Sequence, residues 1–251
     1  MYSTCPKCSH QRQPGEKGDT GSCPSCGLVY SKWLKSLAAG SPEELVELPA
    51  SPGSSLANKA LALLLPAREP VPPAELLVCG LLLAGLTWWG LDFIAMDFRS
   101  NEIGRSFLHN VNLVFHEAGH VIFSPFGRFW TFMAGSLFQV LFPLIFVVAF
   151  LYARRDAIGA SVCLWWAGQA MMDVAPYIAD ARALRLPLLG GGTGADSPGS
   201  HDWANILRMT GRLNQDITIA TWVDLTGSGV IILSIIWGAA ALWAACRLSA
   251  D

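Results

Sequence analysis

The chain has 251 residues, of which 52% are apolar and 14% charged, against roughly 25% charged in an ordinary soluble domain. Its 17 basic and 19 acidic residues leave a formal net charge of −2, so there is no basic field to attract a nucleic acid. This composition excludes a mainly disordered chain and argues against a soluble two-domain enzyme. It reads as a membrane protein.

Residues 1–35 are polar and rich in glycine. They hold Cys5, Cys8, Cys23 and Cys26, whereas Cys79, Cys163 and Cys246 stand alone in apolar stretches. An odd, scattered count does not describe a secreted disulfide framework. Paired Cys-x-x-Cys turns in a non-oxidising compartment read instead as a metal site. The opening MYSTCPKC lacks the apolar run of a signal peptide. Cys5-Pro-Lys-Cys8 and Cys23-Pro-Ser-Cys26 each aim two thiolates at one ion, and together they close a tetrahedral site. So short a segment cannot build an adequate apolar core, so the metal supplies its folding energy. The pattern resembles a zinc ribbon over about residues 3–33. That resemblance implies a structural Zn2+ and a role in stability or in binding a protein partner. A rubredoxin-like iron site is the other metal chemistry open to four thiolates.

Residues 36–74 are rich in Pro, Ser and Ala and read as a linker, with a short surface helix over 56–65. From Glu75 the texture becomes apolar to the end of the chain, and 75–251 reads as one membrane-embedded bundle. A helix needs about 20 mainly apolar residues to cross a bilayer. Leu76 to Met96, Trp130 to Ala153, Ala157 to Ala179 and Gly227 to Cys246 meet that criterion. Gly104 to Phe126 is more polar and reads as a helix shielded from lipid by its neighbours. The expected fold is therefore mainly α, a multi-pass bundle of about five membrane helices behind a four-cysteine ribbon. A small excess of arginine near the membrane ends on the ribbon's side, with the reduced cysteines, puts that ribbon in the cytosol.

Phe115-His116-Glu117-Ala118-Gly119-His120 lies in the polar helix and matches His-Glu-x-x-His. Positions i and i+4 share a helical face, so His116 and His120 present two imidazoles to one zinc. Glu117 is placed to act as general base toward a metal-bound water. With five His and eight Glu in the chain, roughly 0.003 chance matches to this motif are expected. Ionisable residues at membrane depth are costly and default to function.

This helix inside a multi-span protein resembles the site-2-protease family of intramembrane zinc metallopeptidases, over roughly residues 104–186. The resemblance implies His116 and His120 as ligands, Glu117 as base, and an aspartate on a later helix as third ligand. The family's aspartate stands in an Asn-x-x-Pro…Asp-Gly pattern, and no Asp-Gly occurs in this chain. The nearest counterpart is Asp173-Val-Ala-Pro176-Tyr-Ile-Ala-Asp180, which makes Asp180 the first choice of ligand, with Asp173 behind it or orienting substrate. The rival is Ser200-His201-Asp202-Trp203, where His201 or Asp202 completes the site. Asp202 otherwise reads as an N-cap, and Gln139 as glue between helices.

The expectation is a membrane-embedded zinc metalloendopeptidase with one catalytic and one structural Zn2+. It would hydrolyse peptide bonds of membrane or membrane-associated proteins and bind lipid but no nucleic acid. The alternative is a non-catalytic zinc-binding membrane adaptor that recruits partners through its ribbon. A prenyl-protein peptidase, a third class, needs a Glu-x-x-x-Asp pattern beyond the motif, which is absent.

Overall fold

A computed structural model describes residues 4–11, 21–38, 63–65 and 71–250, excluding the side chains of 35–38 and 250. The chain divides into two compact units, Met1–Ser55 and Leu56–Asp251. The expected linker and its short helix lie outside the described residues, apart from 36–38, 63–65 and 71–74.

The first unit contains two turns, bridged between Thr4 and Gln11 and between Ser22 and Val29, and then α1 (Tyr30–Ala38). Cys5, Cys23 and Tyr30 form its buried cluster. A cluster that small cannot hold a fold unaided.

The second unit is helical, with no strand among the described residues. Its elements are α2 (Pro73–Ala95), α3 (Phe107–Phe123) and α4 (Arg128–Ala149), which runs on into a π-helical turn at Phe150–Arg154. They are followed by α5 (Ala157–Ala179), the short α6 (Asp202–Met209) and α7 (Asp216–Ala250). The helix starts carry local signals. Pro73 opens α2, where a missing N–H costs nothing. The Ser106 and Asp156 side chains accept the first free N–H groups of α3 and α5.

Among the described residues, three helices are long and apolar enough to cross a membrane: Pro73–Ala95, Arg128–Arg154 and Leu213–Ser249. Two expectations change here. Ala157–Ala179 forms the predicted helix, but it is the interior of the bundle, with Trp165, Gln169, Asp173 and Pro176 all buried. It packs along α7, and Gly168 and Gly227 bring the two backbones together. A Cβ on Gly227 would lie 2.6 Å from the Gly168 carbonyl oxygen. Small residues at such crossings permit the close backbone approach that membrane helices use.

The second change concerns the polar helix. α3 is not shielded on all sides. It packs mainly on α4, burying Asn112, His116 and Gly119, while Phe107, Val114 and Val121 are 73%, 66% and 75% exposed. These three recur every seven residues on the helix's outer side, so α3 is amphipathic and lies at the edge of the bundle.

Candidate metal centres

In the ribbon the two knuckles repeat one geometry. The Cys5 N–H donates to the His10 carbonyl and the Ser9 N–H to the Cys5 carbonyl, both at 2.9 Å. Cys23 repeats this with Leu28 and Gly27, again at 2.9 Å. The residue after each second cysteine is left-handed, with φ of 57° at Ser9 and 71° at Gly27. Glycine takes that conformation freely. Cys5 Sγ lies 3.7 Å from Cys26 Sγ, and Cys8 Sγ lies 3.7 Å from Cys23 Sγ. A disulfide would need about 2.05 Å. A tetrahedron with Zn–S bonds of about 2.3 Å has S···S edges of about 3.8 Å. The donor set and its spacing fit a tetrahedral thiolate metal. Desolvation raises the Cys23 thiol, but the Cys26 and Ser25 N–H groups outweigh it and bring the thiol down to about 6.

The second centre joins residues far apart in sequence. His116 and His120 stand on α3, Gln139 and Thr131 on α4, and Asp202 at the start of α6. One donor atom from each of His116, His120 and Asp202 lies within 4.8 Å of the other two. Both Nε2 atoms are 3.3 Å from the same Asp202 oxygen, Oδ2. The other ring nitrogens are taken. His120 Nδ1 lies 2.7 Å from the Thr131 carbonyl, and His116 Nδ1 lies 3.0 Å from Gln139 Oε1. A carbonyl only accepts, so His120 Nδ1 carries the proton. Gln139 donates its own amide N–H to the Ala170 carbonyl at 3.0 Å, which turns Oε1 toward His116.

Both rings therefore donate from Nδ1, and in the neutral form each presents an Nε2 lone pair toward the carboxylate. Three acceptors converge, and a cation between them satisfies all three. Tetrahedral ligands about 2.0–2.1 Å from zinc stand about 3.4 Å apart, close to the 3.3 Å seen here. The donors thus suit a three-ligand zinc site, and the acceptors on Nδ1 supply the outer support such histidines need.

The backbone of α4 comes close to this cluster. A Cβ on Gly135 would meet His116 Nε2 and lie 2.6 Å from His120 Nε2, so no larger residue fits there. The α6 segment that delivers Asp202 is fixed on three sides. The Trp203 indole donates to Ser136 Oγ at 2.9 Å, the Asp202 N–H to the Tyr177 hydroxyl at 3.0 Å, and the Asn205 amide to the Gly199 carbonyl at 2.8 Å.

Asp180, the first-choice third ligand, does not join this cluster. It follows the last residue of α5, and its carboxylate turns to its own loop, accepting the Arg185 and Leu186 N–H groups at 2.9 Å each. Its Oδ2 also lies 3.4 Å from His201 Nε2. His201 stands outside the cluster too. Its Nδ1 accepts the Ala204 N–H and caps α6, and its ring stacks on Tyr177 at 4.1 Å. The N-cap is thus His201, which frees the Asp202 carboxylate. Asp173 binds His109 at 2.9 Å and Asn112 at 3.1 Å, away from the histidine pair.

Glu117 is half-buried and has no hydrogen-bond partner among the described residues. It lines a cavity of about 730 Å³ together with His116, His120, Tyr177 and Asp202. The loop Leu186–Gly191 lines the same cavity and is bent back by a bridge from Pro187 to Thr193. The supporting acceptors went unread in the sequence. Gln139 stood out as a polar residue in an apolar helix, whereas a backbone carbonyl such as that of Thr131 leaves no sequence signal. No known protein family, curated protein or solved structure matches this chain.

Proposed function

We propose that this chain is a membrane-embedded zinc metallopeptidase acting on membrane or membrane-associated proteins, with His116, His120 and Asp202 as ligands and Glu117 as general base. One observation carries the reading. Two imidazoles fixed through Nδ1 and one carboxylate converge in a cavity among apolar helices that Glu117, whose carboxylate makes no hydrogen bond among the described residues, also lines. Three protein ligands leave a fourth position for water, as catalytic zinc sites do and closed structural sites do not. A zinc ion bound there supplies a Lewis acid that polarises a carbonyl and acidifies a water.

The chain's own residues do the rest. Gln139 and the Thr131 carbonyl hold the two rings in one tautomer and orientation. Tyr177 fixes the backbone that presents Asp202. Glu117 has a free carboxylate, able to take a proton from the attacking water and return it to the leaving amine. The ribbon is a separate structural site on the cytosolic side, where it stabilises the chain's N-terminal unit or docks a partner.

Glu117→Gln keeps the size and removes the base. Cleavage of a membrane-protein substrate in vesicles is expected to fall at least a hundredfold, within the range of general-base effects, while zinc content and melting temperature stay unchanged. Undiminished cleavage would sink the proposal. A non-catalytic adaptor would be indifferent to this change and would fail when the knuckle cysteines are removed.

A further inference from the structure

The cavity that holds the histidine pair continues along α3 to a second polar pole. His109 lies seven residues before His116, so the two share a helical face about 10 Å apart. His109, Leu113 and His116 all line the one cavity. His109 Nδ1 is 2.9 Å from Asp173 Oδ1, while Asp173 Oδ2 accepts from Asn112 Nδ2 at 3.1 Å. Asn112 is wholly buried and is itself pinned by Trp166, whose indole donates to Asn112 Oδ1 at 2.9 Å. Asn112, Trp166 and the buried Asp173 carboxylate thus hold one imidazole still.

His109 repeats the arrangement of the ligand histidines. All three rings spend Nδ1 on an acceptor from another helix and all three line the cavity, and His109 Nε2 has no partner among the described residues. A role confined to packing would not explain why this side chain stays 36% exposed. Burying Asp173 among apolar helices is costly unless its charge is matched, and a protonated His109 matches it while offering Nε2–H outward. Asn101 also lines the cavity. An imidazolium N–H at this end suits a ligand that accepts.

We infer that His109, held by Asp173, is a substrate-positioning residue that receives a carboxylate about three residues along the chain from the scissile bond. An extended chain advances about 3.3 Å per residue, so about 10 Å corresponds to three. The inference rests on the metallopeptidase reading and names a substrate preference within it. The carboxylate is either a substrate's chain terminus or an acidic side chain.

The test is a ruler anchored on the metal. Peptide hydroxamates with tails of one, three and five residues are titrated against the zinc-loaded full chain in nanodiscs. Each tail ends in a free carboxylate or a carboxamide. A further three-residue tail, capped as amide, carries Glu at its third position. The three-residue free acid is expected to bind at least tenfold tighter than its carboxamide and than the other lengths. If the capped Glu tail gains as much, the subsite reads acidic side chains; if not, it reads chain termini. In His109→Gln the gain is expected to fall below threefold, while the one-residue probe, too short to reach position 109, shifts less than threefold. Absence of a length and charge optimum, or its survival in His109→Gln, overturns the inference. Equal weakening of every tail in that variant also overturns it, because it marks a structural role. If no hydroxamate binds the zinc-loaded chain, the metallopeptidase reading itself fails.

Discussion

The two candidate metal centres solve opposite problems. In the ribbon all four donors come from two turns of local sequence, and Cys5 and Cys23 are buried with little else to form a core. In the bundle the donors come from helices whose packing is set by dozens of apolar contacts, and the cavity survives as a polar fault within them. If both centres take up metal, the ribbon would need its ion in order to fold, whereas the bundle would need its fold in order to hold an ion. Four thiolates also close a coordination shell, while two imidazoles and a carboxylate leave it open. On the function proposed above, that difference would separate a structural from a catalytic site.

Removing the ribbon's metal should make the contrast largest. Cys23→Ser is expected to abolish zinc binding there, whose apparent free energy in comparable sites is about 10–16 kcal/mol. Hydrogen exchange should show residues 4–11 and 21–34 losing protection while α2 to α7 keep theirs. Equal loss in both units would end the comparison.

The bundle answers differently to its two aspartates. Asp202→Ala is expected to empty the inner centre, so that total zinc per chain falls by one, with the helices still folded. Asp180→Ala should keep that zinc and destabilise the Arg185–Leu186 turn by about 1.5–3 kcal/mol, the contribution of hydrogen bonds to a charged acceptor. Metal analysis beside thermal melts separates the two, and the reverse pattern would return Asp180 to the site.

A smaller effect is expected one bond further out. Gln139→Leu removes the acceptor for His116 Nδ1 and should weaken inner zinc about 10–100-fold, as read by chelator competition. Unchanged affinity would mean that the ring orients itself. The smallest effect concerns protons at the ribbon. Cys23 has a thiol near 6, below the ordinary thiol value of about 8.5, so it is mostly thiolate at pH 7. Zinc binding there should release fewer than four protons at pH 7. The number rises toward four as the pH falls below about 6 and Cys23 becomes protonated beforehand. Calorimetry in buffers of different ionisation enthalpy counts them, and a full four at pH 7 would contradict the assignment.

Local spacing made the ribbon and the histidine pair legible in the sequence, because Cys-x-x-Cys turns and i, i+4 helical faces are short-range geometry. The third acidic residue was not so legible. Asp180 and Asp202 are both carboxylates beside plausible loops, and only the chain's path after α5 separates them. That path depends on His201 taking the N-cap and on Trp203 reaching Ser136, contacts between residues far apart. The membrane reading was right about apolar length but treated every long apolar segment alike. Ala157–Ala179 carries buried tryptophan, glutamine and aspartate because protein surrounds it, and a linear sum of hydropathy cannot tell protein surroundings from lipid.

The outward stripe of Phe107, Val114 and Val121 has one further consequence. The same helix carries His109, His116 and His120 on its inner side, so a single helix separates the polar cavity from whatever covers the stripe. Its thickness is roughly 10 Å. In a bilayer the cavity would share a wall with the hydrocarbon, with α3 alone between them. Changes in lipid thickness or lateral pressure that tilt this helix would then move both ligand imidazoles together. The physical state of the membrane would then bear on the geometry of the His116–His120–Asp202 cluster, without any dedicated sensor.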